Sequence, residues 1–196
     1  MIRFLHCQKG RYRRTRLGSL RKLKRIELNK PRHISNRPKH IDNRSTYGHW
    51  GGDTIVGKTR SGYIVTIVER KSGYLAARLL TKQDFGATGF AQKTALSLGG
   101  VPEEYKKTLT LDNGPEMGDP EQIEMLTGFK VYYANPYHSW ERGTNENTNG
   151  LLRYFFPKKM SFAHLTQADI DQAVELLNNR PRKRLGWRSP AEMFKF

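Results

Sequence analysis

The sequence predicts an α/β domain, one mixed five-stranded sheet flanked by helices, behind a basic N-terminal arm. Three observations carry this. Short β-branched runs and helical patterns follow one another in the order βββαβαβαα. The first three runs are linked by short turns and read as an antiparallel meander. Charge is concentrated at one end: residues 1–45 hold 15 Lys/Arg against 2 Asp/Glu, and the other 151 residues hold 20 against 16, within a formal net charge of +17. We therefore expect a flexible arm or linker over 1–45 and a folded core over 46–196. A chain of 196 residues is long enough to bury one sizeable core and carry such an arm.

Each element has its own signal. In the arm, Pro31 and Pro38 break any regular run, and SLRKLKRIEL has Leu20, Leu23 and Ile26 at helical spacing with little else to bury. DTIVG reads as a strand ending at Gly57, and KTRSG as a turn. GYIVTIVERK, rich in β-branched residues, is the second strand. SGYLAARLLT is the third, turned at Ser72-Gly73. Thr88 to Leu98 reads as a helix closed by Gly99-Gly100, and KTLTLDNG as a fourth strand ending at Asp112. DPEQIEMLTG is a short helix with Asp119 as N-cap, Pro120 at its first position and Gly128 at its stop. KVYYANP is the fifth strand. A helix from Thr144 or Asn145 to Phe156 is stopped by Pro157. The last long helix runs from Leu165 to Asn179, with Thr166 as N-cap and Ile170, Val174 and Leu177 on one face.

Composition excludes several classes. Cys7 is the only cysteine, so no internal disulfide and no cysteine-based zinc site can form within one chain. His6, His33, His40, His49, His138 and His164 show no zinc spacing. No signal-peptide core opens the chain, and no apolar run approaches a membrane span. GxxxxGK[ST] is absent, which argues against a nucleotide cofactor. The basic arm favours phosphate-rich partners, and the single cysteine with no signal peptide or apolar span fits a reducing cytoplasm.

Three carboxylates stand out: Asp53 in GHWGGDTIVGK, Asp112 in TLTLDNGPEM and Glu146 in RGTNENTNGLLR. Asp53 sits in a strand that reads as buried, where an acid is costly unless paired or metal-bound. Asp112 ends its strand, the edge where α/β sheets bind ligands, although Asp-Asn-Gly reads equally as a plain turn. Glu146 shares a helix face with Asn149, Gly150 and Arg153 at spacings of three, four and seven. Three such acids can hold two divalent cations for in-line phosphoryl transfer.

These segments, together with SGYIVTIVERKSGY, YYANPYHSWERGTNENTNGLLRYFFPK and LLNNRPRKRLGWRSPAEMF, resemble the catalytic part of DDE transposases of insertion-sequence family thirty. The resemblance runs from about Tyr47 to the C-terminus. It implies an RNase H-like, retroviral-integrase-like fold and metal-dependent DNA cleavage and strand transfer. It also implies Mg²⁺, replaceable by Mn²⁺, on Asp53, Asp112 and Glu146. The implied partners are element ends and target DNA, with several copies assembling on them at a bacterial nucleoid and no membrane involved.

DNA contacts are expected at several further positions. By the resemblance, Arg153 takes an end- or target-DNA role, with Asn149 beside it. His138, Trp140 and Arg142, with Tyr137 and Ser139, lie in the loop before the catalytic helix, where they could contact or stack on DNA, or simply pack. Asn113 either orients Asp112 or meets DNA. Lys58, Lys158 and Lys159 are phosphate candidates, as are Arg60 and Lys71. Arg182 and Lys183 lie in the basic turn RPRKRLGWRSP, where Trp187 reads either as a DNA contact or as a cap on the core.

Two departures from the resembled family matter. Its members usually read GHWEGD where this chain reads GHWGGD, so Gly51 stands in place of an acid. Their helix-turn-helix modules are not evident in the basic arm, and the chain stops soon after SPAEMF. A truncated, non-catalytic DNA-binding remnant or regulator is therefore an alternative expectation, and an RNase H-like nuclease on the same fold is another.

Overall fold

A computed structural model describes residues 30–135 and 143–194. Five strands form one sheet: β1 (His49–Val56), β2 (Tyr63–Glu69), β3 (Leu75–Leu80), β4 (Thr108–Leu111) and β5 (Lys130–Tyr133). Their spatial order is β3-β2-β1-β4-β5. β1, β2 and β3 pair antiparallel as the meander, and β4 and β5 are added parallel to β1. The helices are α1 (Ala87–Ser97), α2 (Pro120–Thr127), α3 (Gly143–Phe155), α4 (Gln167–Asn178) and the short α5 (Pro190–Met193). The expected βββαβαβαα order is present, with α5 added.

Strand alternation divides the molecule into three layers. One sheet face carries Trp50, Val65, Ile67, Leu109, Leu111 and Val131, which pack with Phe90 of α1 and Ile123 of α2. The other carries Ile55, Ile64, Val68 and Leu75, which pack with Leu152 of α3 and Ile170 and Leu177 of α4. Gly51, Asp53, Thr66, Thr110 and Asp112 fall on this second face by the same alternation.

Local signals hold the helix ends. Asp119 accepts from Gln122 N at the start of α2, with Pro120 first and Gly128 left-handed at its end. Thr166 and Asp169 form a reciprocal capping box on α4. Ser189 and Glu192 form another on α5. That second box turns the chain inward and delivers Phe194 to an aromatic cluster, edge-on to Trp50 at 5.4 Å and Tyr105 at 5.3 Å. Phe194 thus closes the core, and Trp187 does not: its ring is 70% exposed.

The residues from Arg32 onward form one compact unit. Arg32 bonds both carboxylate oxygens of Glu124, at 3.2 and 2.9 Å. His33 makes a parallel bridge to Tyr133. Arg37 is buried, donates to Thr110 Oγ1 (2.8 Å) and pairs with Asp42, and Ile41 is buried too. Sequence composition hid this because the residues that dock are themselves arginine and histidine. The arm before residue 30, with the candidate helix SLRKLKRIEL, lies outside the described residues.

His49 sits in this cationic neighbourhood. Its Nδ1 hydrogen-bonds Thr108 Oγ1 at 2.8 Å. Burial, reinforced by Lys107, His40, Arg70 and Arg37, pushes its pKa down from 6.5 to about 4. The unfolded chain therefore takes up this proton at higher pH than the folded one. Stability present above about 6.5 is lost as pH falls towards 4. Thermal melts across that window should show the loss, and His49→Asn should flatten the slope.

Candidate active site

Two strands and one helix position the three acids. The parallel register pairs Gly51 with Thr110. β4 ends at Leu111, so Asp112 is the first residue past it, and strand alternation puts Asp53 and Asp112 on the same side of two neighbouring strands. α3, whose first turn carries the exposed Glu146, packs on that face. Among the described residues no three acidic, histidine or cysteine side chains come close enough to hold one ion together.

α3 docks through an i, i+4, i+8 stripe. Asn145 lies over Gly51: a Cβ there would stand 2.2 Å from Asn145 Oδ1. Asn149 Nδ2 donates to Asp53 Oδ2 at 2.9 Å. Arg153 donates to Val56 O at 3.1 Å and to Phe156 O at 3.2 Å. The match is geometric. Four helical residues rise about 6 Å and two strand residues about 6.7 Å, so the stripe follows Gly51 and Asp53 in step, and the long Arg153 side chain covers the three residues on to Val56.

The aspartates are held from several sides. Thr54 N donates to Asp53 Oδ1 at 2.9 Å. Thr66 Oγ1 donates to Asn149 Oδ1 at 3.0 Å, which turns the Asn149 amide so that its NH₂ faces Asp53. Gly114 N donates to Asp112 Oδ1 at 2.7 Å. Glu116 enters from beside them, accepting from Thr54 Oγ1 at 2.7 Å. A Cβ on Gly114 would lie 2.9 Å from both Asp112 Oδ1 and Glu116 Oε2, so this glycine lets the two carboxylates approach. The half-buried Asp53 and Asp112 and the exposed Glu146 offer hard oxygen atoms, which would suit Mg²⁺ or Mn²⁺.

The remaining candidates divide. Asn113 Nδ2 donates to Ala134 O at 2.8 Å, tying the ends of β4 and β5 together. Arg153 is committed to two backbone carbonyls, and burial lowers its pKa. Lys58, Lys158 and Lys159 are exposed and brought together, because Lys58 N donates to Met160 O at 2.8 Å. Arg60 is exposed nearby, and Lys71 Nζ lies 4.0 Å above the Tyr47 ring. Arg182 donates to Leu177 O at 3.2 Å, and Lys183 is exposed beside it. The next residue, Arg184, reaches the β2–β3 turn through Lys71 O and Ser72 O. Tyr137, His138, Ser139, Trp140 and Arg142 lie outside the described residues.

Sequence reasoning missed Asn145, Thr66 and Glu116. Asn145 was within reach, since it stands four residues before Asn149. Thr66 and Glu116 carried no local signal: one joins the site across a strand pair and the other through a turn.

No family model matches the chain. Over 147 residues it is 44% identical to the transposase InsI for insertion sequence element IS30A of Escherichia coli K12, covering 74% of this chain and 37% of that protein. It is 43% identical to the transposase for element IS4351 of Bacteroides fragilis, over 73% of this chain and 43% of that one. It is 37% identical to the transposase for element IS1086 of Cupriavidus metallidurans, over 74% and 42%. The chain thus spans less than half the length of these relatives. Among solved structures, the catalytic core domain of bovine immunodeficiency virus (BIV) integrase aligns with a TM-score of 0.54 at 22% identity, covering 76% of this chain and 94% of that core. That likeness shows the RNase H-like fold.

Proposed function

The chain is a homologue of the IS30 transposases, matched over part of their length, and has the fold of an integrase catalytic core; from that premise we propose that it cleaves and joins DNA in transposition of an insertion sequence. The observation that supports this reading is the seating of α3, the helix that carries Glu146, against Asp53 of β1 through Asn149, with Asp112 following the neighbouring strand β4. Asp53, Asp112 and Glu146 would hold divalent Mg²⁺ or Mn²⁺. When bound, such ions activate water or a 3′-hydroxyl and stabilise the leaving oxygen.

The chain's own residues supply the rest. Asn149 and Thr54 fix both oxygens of Asp53, and Gly114 fixes one of Asp112. Lys58, Lys158 and Lys159 offer phosphate contacts at one end of α3. Element ends and target DNA are the substrates, several copies assemble on them, and the site of action is the bacterial nucleoid. No helix among the described residues is long and apolar enough to cross a membrane.

The test is a nicking and strand-transfer assay on labelled pre-cut element-end DNA with Mg²⁺ or Mn²⁺, run beside Asp112→Asn. Metal-dependent joined product from the parent, absent from the variant, is expected. DNA binding without product from either protein would favour the non-catalytic remnant. Preferential cutting of an RNA–DNA hybrid would favour the nuclease.

A further inference from the structure

Trp187 is the one feature of the basic turn that the core does not explain. Its ring is 70% exposed. Its backbone is left-handed at φ +66°, directly after Gly186 at φ +64°. A bulky residue there is strained, and such strain persists where surroundings enforce it, often at binding sites. The surroundings here are explicit. Arg182 O accepts from Leu185 N at 2.9 Å and from Trp187 N at 3.1 Å, and Arg182 N donates to Arg188 O at 3.0 Å. Leu185 is buried and pins the turn. The turn is docked on the β2–β3 hairpin by Arg184, which donates to Lys71 O at 2.8 Å and Ser72 O at 2.9 Å.

This rigid turn presents its indole among charges of one sign. Residues 180–190 contain Arg180, Arg182, Lys183, Arg184 and Arg188 and no acid. Arg180, Lys183 and Arg188 are exposed with Trp187. Burial and its arginine neighbours lower the Arg182 pKa, so the turn already bears mutual repulsion that a polyanion would relieve. An apolar protein partner would bury these cations unpaired, whereas a nucleic-acid strand matches both parts. Aromatic rings stack on bases whatever the sequence, and flanking Lys and Arg take the phosphates.

We propose that the Trp187 turn is a second nucleic-acid contact, at which the indole stacks on an unpaired or unstacked DNA base while Arg180, Lys183 and Arg188 hold the flanking phosphates. It rests on the reading of this chain as DNA-acting, but it needs no catalysis and no metal.

The experiment is fluorescence anisotropy of the full chain with a labelled single-stranded oligonucleotide and the matching duplex, over a salt series. Trp187→Gly should weaken single-strand binding about tenfold or more, with little change in salt slope. It should also raise Tm, because glycine accepts the left-handed backbone. Trp187→Tyr should keep most of the affinity. Lys183→Gln should reduce the salt slope by about one. Unchanged single-strand affinity in Trp187→Gly, with the parent binding normally, overturns the stacking role alone. A parent that binds no DNA overturns the DNA-acting reading as well. A Trp187→Gly protein that binds DNA normally but sediments as a smaller species would show the ring serving a protein contact instead.

Discussion

Glu146→Gln should lower strand transfer about a thousandfold and leave Tm within about 2 °C of the parent. The separation of the two effects follows from where the side chain lies. Glu146 is exposed on the first turn of α3, and its substitution disturbs no core contact. Its role in the proposed chemistry is charge, and losing several kcal/mol of transition-state charge stabilisation corresponds to about three orders of magnitude. Asp53→Asn should behave differently. Its new NH₂ would face either the Asn149 NH₂ or the Thr54 N–H, since both oxygens of Asp53 accept, so two donors would meet in either orientation. That variant should lose activity and several degrees of Tm together. Melting curves beside the strand-transfer assay distinguish the two. Retention of transfer by Glu146→Gln would remove the glutamate from the site.

The strand and helix succession was legible because each element carried a local signal. β-branched runs marked β1 and β2, and the Ser72-Gly73 turn marked the start of β3. Asp119-Pro120 opened α2, and Thr166 with Asp169 opened α4. The placement of Asp112 at the end of β4 could be read too, since Leu109 and Leu111 fix which face it takes. What escaped was set by distant partners. Arg37 looked like part of a solvated arm, yet it is buried against Thr110, 73 residues away. Trp187 read either as a DNA contact or as a cap on the core, and the capping box at Ser189 brings Phe194 inward to the core instead. The two carbonyl partners of Arg153, whose DNA role the family resemblance implies, appear only when α3 lies along β1.

Gly51→Glu should destabilise the fold by about 3 kcal/mol or more and should not raise activity. From the sequence alone Gly51 reads as a lost acid beside Asp53, which restoring the glutamate would repair. The packing argues the reverse. Gly51 is buried, and any Cβ on it comes 2.2 Å from Asn145 Oδ1 and 3.0 Å from Asn145 Cγ. Asn145 is 1% exposed and stands next to Glu146, so room for a larger residue at 51 has to come from turning this buried side chain or from shifting the start of α3. A glutamate at 51 would also place a charge in this buried contact. Displacement of the helix start would carry Glu146 with it, and activity would fall along with stability. Gly51 and Asn145 are on this argument a matched pair, glycine on the strand making room for the amide on the helix. Adding Asn145→Ala to Gly51→Glu should therefore recover at least about 1 kcal/mol beyond the sum of the single changes, since residues in contact are not additive. Denaturant unfolding of the four proteins measures that coupling directly. Additive effects, or a Gly51→Glu protein as stable as the parent, would mean that α3 tolerates the larger residue and that Asn145 does not set its seat.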